Sequence, residues 1–148
     1  MPDTESPKVD LTDRSVYATW ATSTIRYSDL DPNGHVNNGA INAFFEEGRV
    51  LFRNERMVSR DDHILSGFAI VKFTVEYKKA LFYPGEVDSG TVVTHVGNSS
   101  YVLGQGIFQG DDCIAHAEVV AVYLGPEGKK ATPLGDELKQ ILKGALAP

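Results

Sequence analysis

Between Tyr27 and Arg53 the chain reads YSDLDPNGHVNNGAINAFFEEGRVLFR, and no other stretch limits the fold as much. Its second half carries Ile41, Phe44, Phe45, Gly48, Leu51 and Phe52 at helical spacing. That is one apolar stripe on one long helix. Such a stripe must be covered, and the segments around it are strand-like, so a sheet has to cover it. Gly48 costs roughly 1 kcal/mol of helix propensity. Close approach of the helix to that sheet accounts for it. Glu46 and Arg49 are three apart on a polar side and are expected to pair.

The helix is entered through a tight turn. Asp31-Pro32-Asn33-Gly34 fits a type I turn position by position. The helix then starts at Asn37 or Asn38, either of which can cap the free amides of its first turn. Before the turn, Val16 to Ser28 reads as a first strand. After the helix, Glu55 to Ser66 is a polar loop with room for a turn of helix. Ala69, Val71, Phe73, Val75 and Tyr77 then alternate with polar or smaller partners, predicting a long strand with one face on the core. Tyr83-Pro84-Gly85 breaks it. Glu86–Val96, Tyr101–Gln109 and Cys113–Leu124 follow as three more strands. Their short, turn-rich connectors predict an antiparallel meander. Pro133 to Leu146 reads as a short amphipathic helix with Leu134, Leu138, Ile141 and Leu142 on its apolar side. Residues 1–14 are polar and are expected to form a flexible tail. Residues 15–148 form one α+β domain of two layers.

Composition narrows the function. The net charge of −6 over 148 residues argues against a nucleic-acid binder, which needs a basic face. A lone cysteine, Cys113, excludes an intrachain disulfide, and no Cys/His metal spacing occurs. Neither a signal peptide nor an apolar run of membrane-spanning length is apparent, so a soluble cytoplasmic protein is expected.

The segment Asp29-Leu-Asp-Pro-Asn-Gly-His-Val-Asn-Asn38, followed by a helix with Glu46-x-x-Arg49, resembles the hotdog-fold acyl-CoA thioesterase superfamily. The resemblance is to its 4-hydroxybenzoyl-CoA thioesterase-like branch. Val75-Glu-Tyr-Lys-Lys-Ala-Leu81 and Pro84-Gly-Glu86 resemble the family's second strand and the turn after it. This implies a curved antiparallel sheet of about five strands wrapped around one central helix. It also implies hydrolysis of an acyl-CoA thioester. The catalytic carboxylate falls on Asp31, and the amide that polarises the carbonyl on the backbone of Asn38. A plant branch acting on acyl-acyl-carrier-protein uses an Asp, an Asn and a His together. These match Asp31, Asn33 and His35, so Asn33 and His35 are accessory candidates. That branch's later Glu-Cys pair is replaced here by Ala80 and Leu81. Subunits of this family pair through their sheets, which implies a homodimer or a tetramer. No metal or redox cofactor is implied.

Thioester hydrolysis needs a base or nucleophile and a site for the developing oxyanion. Asp31 can deprotonate water or attack the carbonyl carbon itself. The helix N-terminus offers unpaired N–H groups and partial positive charge to the oxyanion. Each candidate also has a purely structural reading. Asp31 and Asp29 can be turn-capping carboxylates, His35 a histidine that bonds the turn, and Asn37 and Asn38 simple caps. The register of Asp31 with His35, the asparagines and the helix stripe favours function for Asp31, while Asp29 is a positioning or solvated residue. Lys78 and Lys79 can contact the phosphates of coenzyme A or merely end a strand in solvent. Glu47, His63, His95, His116 and Cys113 carry no assigned role. An acyl-carrier-protein thioesterase and a non-catalytic acyl-CoA binder remain as alternatives. The acyl pocket is expected along the helix stripe and near Phe73 and Phe82.

Overall fold

The computed structural model describes residues 9–57, 67–125 and 127–148. The expected polar loop at 55–66 falls mostly outside them, as does His63. Five strands, β1 (Thr19–Thr24), β2 (Phe68–Tyr77), β3 (Glu86–Val96), β4 (Ser100–Gln109) and β5 (Asp112–Tyr123), form one antiparallel sheet. Their order across it is β1-β3-β4-β5-β2. The long helix α1 (Asn38–Arg56) lies on the concave face, and the short helix α2 (Asp136–Lys143) closes one end. This is the hotdog arrangement expected from the sequence.

The stripe of α1 packs as its spacing predicts. Ile41, Phe44, Phe45, Gly48 and Phe52 are buried, Phe45 and Phe52 completely. Each such phenylalanine stabilises the fold by roughly 1.5–3 kcal/mol relative to exposure. The first half of the helix shares a core with Ile25, Val36, Leu81, Val87 and Ile107, the second half with Leu103, Val119, Leu138 and Leu142. Gly48 sits where a side chain would crowd the sheet. A Cβ there would stand 3.1 Å from Gln105 Nε2 and from Ser89 Cβ.

Three local expectations are corrected. In β2 the alternation does not continue: the register shifts between Ile70 and Lys72. Phe68 and Phe73 both pack against the core across this bulge, Ile70 (48% exposed) stays on their side at its open edge, and Val71 (59%) is the extra residue. An extra residue in one strand reverses the side-chain parity beyond it. The second correction concerns Glu46 and Arg49. Glu46 is exposed, and Arg49 Nη1 donates instead to Gln105 Oε1 at 3.2 Å. The buried amide of a neighbouring strand outcompetes a solvated carboxylate. The third concerns residues 9–14 of the expected tail, which are folded onto the outer face of the sheet. Leu11 is buried there, and its carbonyl accepts from Tyr17 Oη at 2.6 Å. The sheet leaves a lane for them: Gly104 lies beneath Leu11, and Gly90 and Gly106 beneath Tyr17.

Candidate active site

Between β1 and α1 the chain makes a miniature hairpin, with Leu30 bridged to Val36. Gly34 N–H donates to Asp31 O at 3.0 Å, closing the Asp-Pro-Asn-Gly turn, and Gly34 takes φ +80°. Asp31 N–H donates to His35 O at 2.7 Å. The Asp31 carboxylate is used on one side only. Its Oδ1 accepts from Asn33 N–H (2.9 Å) and His35 N–H (3.1 Å). Among the described residues nothing donates to Oδ2. The turn-capping role therefore occupies only one of the two carboxylate oxygens.

Asn37 is the N-cap. Its Oδ1 accepts from Ala40 N–H at 2.7 Å, and its Nδ2 donates to Asp29 O at 2.8 Å. The Asn37 N–H donates to that same carbonyl at 2.8 Å. Asp29 is buried (4% exposed), its carboxylate accepting from Arg26 N–H and Arg26 Nη2. It is a positioning residue, as the sequence reading allowed. With Asn37 capping, Asn38 and Gly39 become the first two helical residues. Among the described residues their N–H groups have no acceptor. They are the orphan donors of a helix start, where the backbone dipole is positive.

One open cleft of about 250 Å³ joins these parts. Asp31, His35, Val36, Asn38, Ile41 and the segment Tyr77–Leu81 line it. Asp31, His35 and Asn38 are thus brought together, with Lys78 and Lys79 on the opposite wall. Lys79 Nζ donates to Asp112 Oδ1 at 2.9 Å, whereas Lys78 has no acidic partner within 4 Å among the described residues. Asn33 does not line the cleft. It stands exposed at the turn tip and contributes its N–H to Asp31. Phe73 packs against Phe45 in the core, and Phe82 is exposed, edge-on to His35 at 5.1 Å. Neither lines the cleft. Tyr77 was missed as a site residue: its Oη donates to Asn42 Oδ1 at 2.7 Å, tying the end of β2 to α1. Only the register of β2 against the helix, which no local signal carries, reveals it.

Groups outside the cleft have structural settings. His116 Nε2 lies 3.6 Å from Glu76 Oε2 across two strands. Burial pushes the Cys113 thiol above its ordinary pKa, the opposite of a reactive cysteine. Among the described residues no cluster of three His, Cys, Asp or Glu is placed to hold a metal ion. No helix among them is long and apolar enough to cross a membrane.

A polar turn that leads into one long helix, enwrapped by a curved antiparallel sheet, is the hotdog fold. Across residues 25–142 the chain matches the thioesterase-like superfamily, and it belongs to that family. The uncharacterised protein YsmA of Bacillus subtilis (strain 168) is 28% identical over 137 residues, spanning 85% of this chain and 90% of that protein. A thioesterase of Thermus thermophilus, solved with coenzyme A and Zn, superposes with a TM-score of 0.77 at 25% identity, covering 88% of this chain and 95% of that one. A DHNA-CoA thioesterase of Staphylococcus aureus has the same fold, with a TM-score of 0.74 at 20% identity, covering 85% of this chain and 89% of that one. Family and fold together support thioester hydrolysis.

Proposed function

We propose that the protein hydrolyses acyl-CoA thioesters, with Asp31 as the catalytic carboxylate. The observation that carries this reading is the open Asp31 Oδ2 sharing one cleft with the unpaired amide at the start of α1. With Asp31 as base, Oδ2 takes a proton from water as the water oxygen attacks the thioester carbon. The carbonyl oxygen gains negative charge and is held by the Asn38 N–H; one such donor is worth about 3–4 kcal/mol of barrier. Collapse breaks the C–S bond and releases the CoA thiolate, which takes up the proton. With Asp31 as nucleophile, Oδ2 bonds to the carbon as the C–S bond breaks and the CoA thiolate leaves; water then cleaves the mixed anhydride to the acid and the free Asp31 carboxylate, and the water proton goes to the thiolate. His35, whose imidazole is exposed beside Asp31, orients water or the leaving group. Lys78, without an acidic partner among the described residues, contacts the CoA phosphates. The likeness to a thioesterase solved with coenzyme A supports a CoA-type substrate. The reading includes a soluble cytoplasmic homodimer or tetramer that needs no metal or redox cofactor and engages neither nucleic acid nor membrane.

Asp31→Asn is the direct test. Asparagine keeps an acceptor at Oδ1 for the two turn amides and removes the reactive charge. Turnover of an acyl-CoA panel, followed by thiol release, should fall by roughly 10²–10⁴-fold with the melting temperature nearly unchanged. Unchanged turnover would remove Asp31 from the chemistry. Binding without any thiol release by the native protein would make it a binder. In single-turnover hydrolysis in ¹⁸O-water, label on Asp31 identifies the anhydride route with water attacking the aspartyl carbon, which the base route cannot produce.

A further inference from the structure

Arg49 and Arg53 lie one turn apart on the face of α1 that looks towards the first half of β2. With Glu46, Phe68, Ile70 and Tyr101 they line a pocket of about 80 Å³. Both arginines are half-buried. Arg49 is held in place rather than loosely extended. Its Nη1 donates to Gln105 Oε1 at 3.2 Å, and its guanidinium carbon stands 5.5 Å from the Phe73 ring centre. Gln105 is fully buried, and its Nε2 donates to Phe45 O (3.0 Å) and Thr91 Oγ1 (2.9 Å). Those two bonds fix which way the amide faces, so its oxygen is aimed at Arg49.

That arrangement has a cost without a visible return. Burial pulls the Arg49 pKa below its ordinary value, and the nearby Glu46 charge only partly offsets this. Among the described residues neither Arg49 nor Arg53 has a carboxylate within 4 Å. A desolvated guanidinium with most of its donors unused is complementary to a planar anion, which it can bind in a two-pronged fashion. The anion should also carry an apolar body, since Phe68, Ile70 and Tyr101 form the rest of the wall.

The pocket is on the line of the proposed active site. Asn38, Asn42, Glu46, Arg49 and Arg53 follow one side of α1, and Tyr77 of β2 joins it at Asn42. Arg49 is roughly 16 Å from Asn38 along the helix axis at 1.5 Å per residue. Helical side chains lean towards the N-terminus, which brings both guanidiniums closer to the thioester site. We propose that this pocket receives the far end of the acyl group, and that the acyl group it selects ends in a carboxylate. The substrate class is then an ω-carboxyacyl thioester. This inference rests on the thioester-hydrolase reading above.

The test compares kcat/KM for ω-carboxyacyl-CoA and plain acyl-CoA thioesters of matched and increasing length. The native enzyme should prefer the carboxylated member by about tenfold at the best length. Arg53→Gln should erode that preference while leaving plain acyl-CoA turnover, melting temperature and molecular mass in place; Arg49→Gln should erode it too, at a lower melting temperature because the buried Gln105 Oε1 loses its donor. A native preference of one or less, or one that both variants retain, overturns the inference. So does a variant loss that is equal for both series and vanishes with dephospho-CoA thioesters, because the guanidiniums would then hold the CoA phosphate. Should the native protein cleave no thioester, the functional reading fails. Calorimetric binding of a non-hydrolysable ω-carboxyacyl-CoA thioether then decides the pocket: Arg49-dependent binding supports it, and no dependence overturns it.

Discussion

Asp31 spends one carboxylate oxygen on architecture: Oδ1 holds the turn, and among the described residues nothing donates to Oδ2. Its neighbour Asp29 is spent entirely on architecture, and Asn37 links the two by bonding Asp29 O while capping α1. Asn37→Ala removes both of these side-chain bonds. Stability should drop by about 1–2 kcal/mol, measured by chemical denaturation. The position of the Asn38 amide should loosen with it, so kcat should fall more than KM rises. The Asp31 turn was legible in the sequence because a turn pattern and a helix stripe fix it from both sides. The burial of Asp29 was not legible, since it arises from Arg26 and Asn37 folding around it. Arg49 was misjudged for a related reason. Its local partner Glu46 is visible along the chain, but its actual partner Gln105 is 56 positions away.

At the scale of elements, α1 is pressed against the sheet at Gly48. Gly48→Ala would gain helix propensity of roughly 1 kcal/mol on an open helix. Here the added methyl meets Ser89 Cβ and Gln105 Nε2 at 3.1 Å and Thr91 Oγ1 at 3.2 Å. Gln105 is pinned by its own bonds and Ser89 is buried in β3, so neither can retreat cheaply. A net loss of about 1 kcal/mol is expected in urea unfolding. Gly48→Val should lose more. The sequence disclosed this contact through the glycine's presence in an apolar stripe. It did not disclose the bulge in β2, because alternation across Ala69, Val71 and Phe73 looks regular until the partner strand β5 sets the register. The C-terminal helix was likewise visible as Leu134, Leu138 and Leu142, although its ends were drawn too wide, since α2 covers only Asp136–Lys143.

For the whole molecule, two buried tyrosines set an alkaline limit. Burial raises the pKa of Tyr17 well above its ordinary value and pushes Tyr101 up to about 12 from 10.0, outweighing the two arginines beside it. Above pH 10 the unfolded chain releases these protons while the folded chain keeps them. Stability is therefore undiminished below pH 10 and declines as pH rises from there towards 12. Thermal unfolding followed through this range should show the decline, and Tyr101→Phe should flatten it. The outermost strand β2 also presents Ile70 and Val71 to solvent. If two copies join along that edge, light scattering should report a dimer or tetramer. Val71→Lys should shift the mass towards the monomer. The folded outer strand-cover at Leu11 shows why the domain boundary could not be drawn from polarity alone. Its anchor is a row of glycines scattered over β3 and β4.

The segment from Arg26 to Ala40 closes most of its polar bonds within itself: Arg26 to Asp29, Asp29 to Asn37, Asp31 to His35, Asn37 to Ala40. Val36 N–H to Leu81 O is its backbone tether to the β2–β3 connector, and Ile25 N–H to Gly85 O holds the residue just before it. It behaves as a cassette with two mounting points. Grafted onto another sheet-wrapped helix with matching carbonyls, it would arrive with the Asp31 carboxylate and the helix start already placed in register. The acyl preference of such a chimera would be inherited from the recipient scaffold.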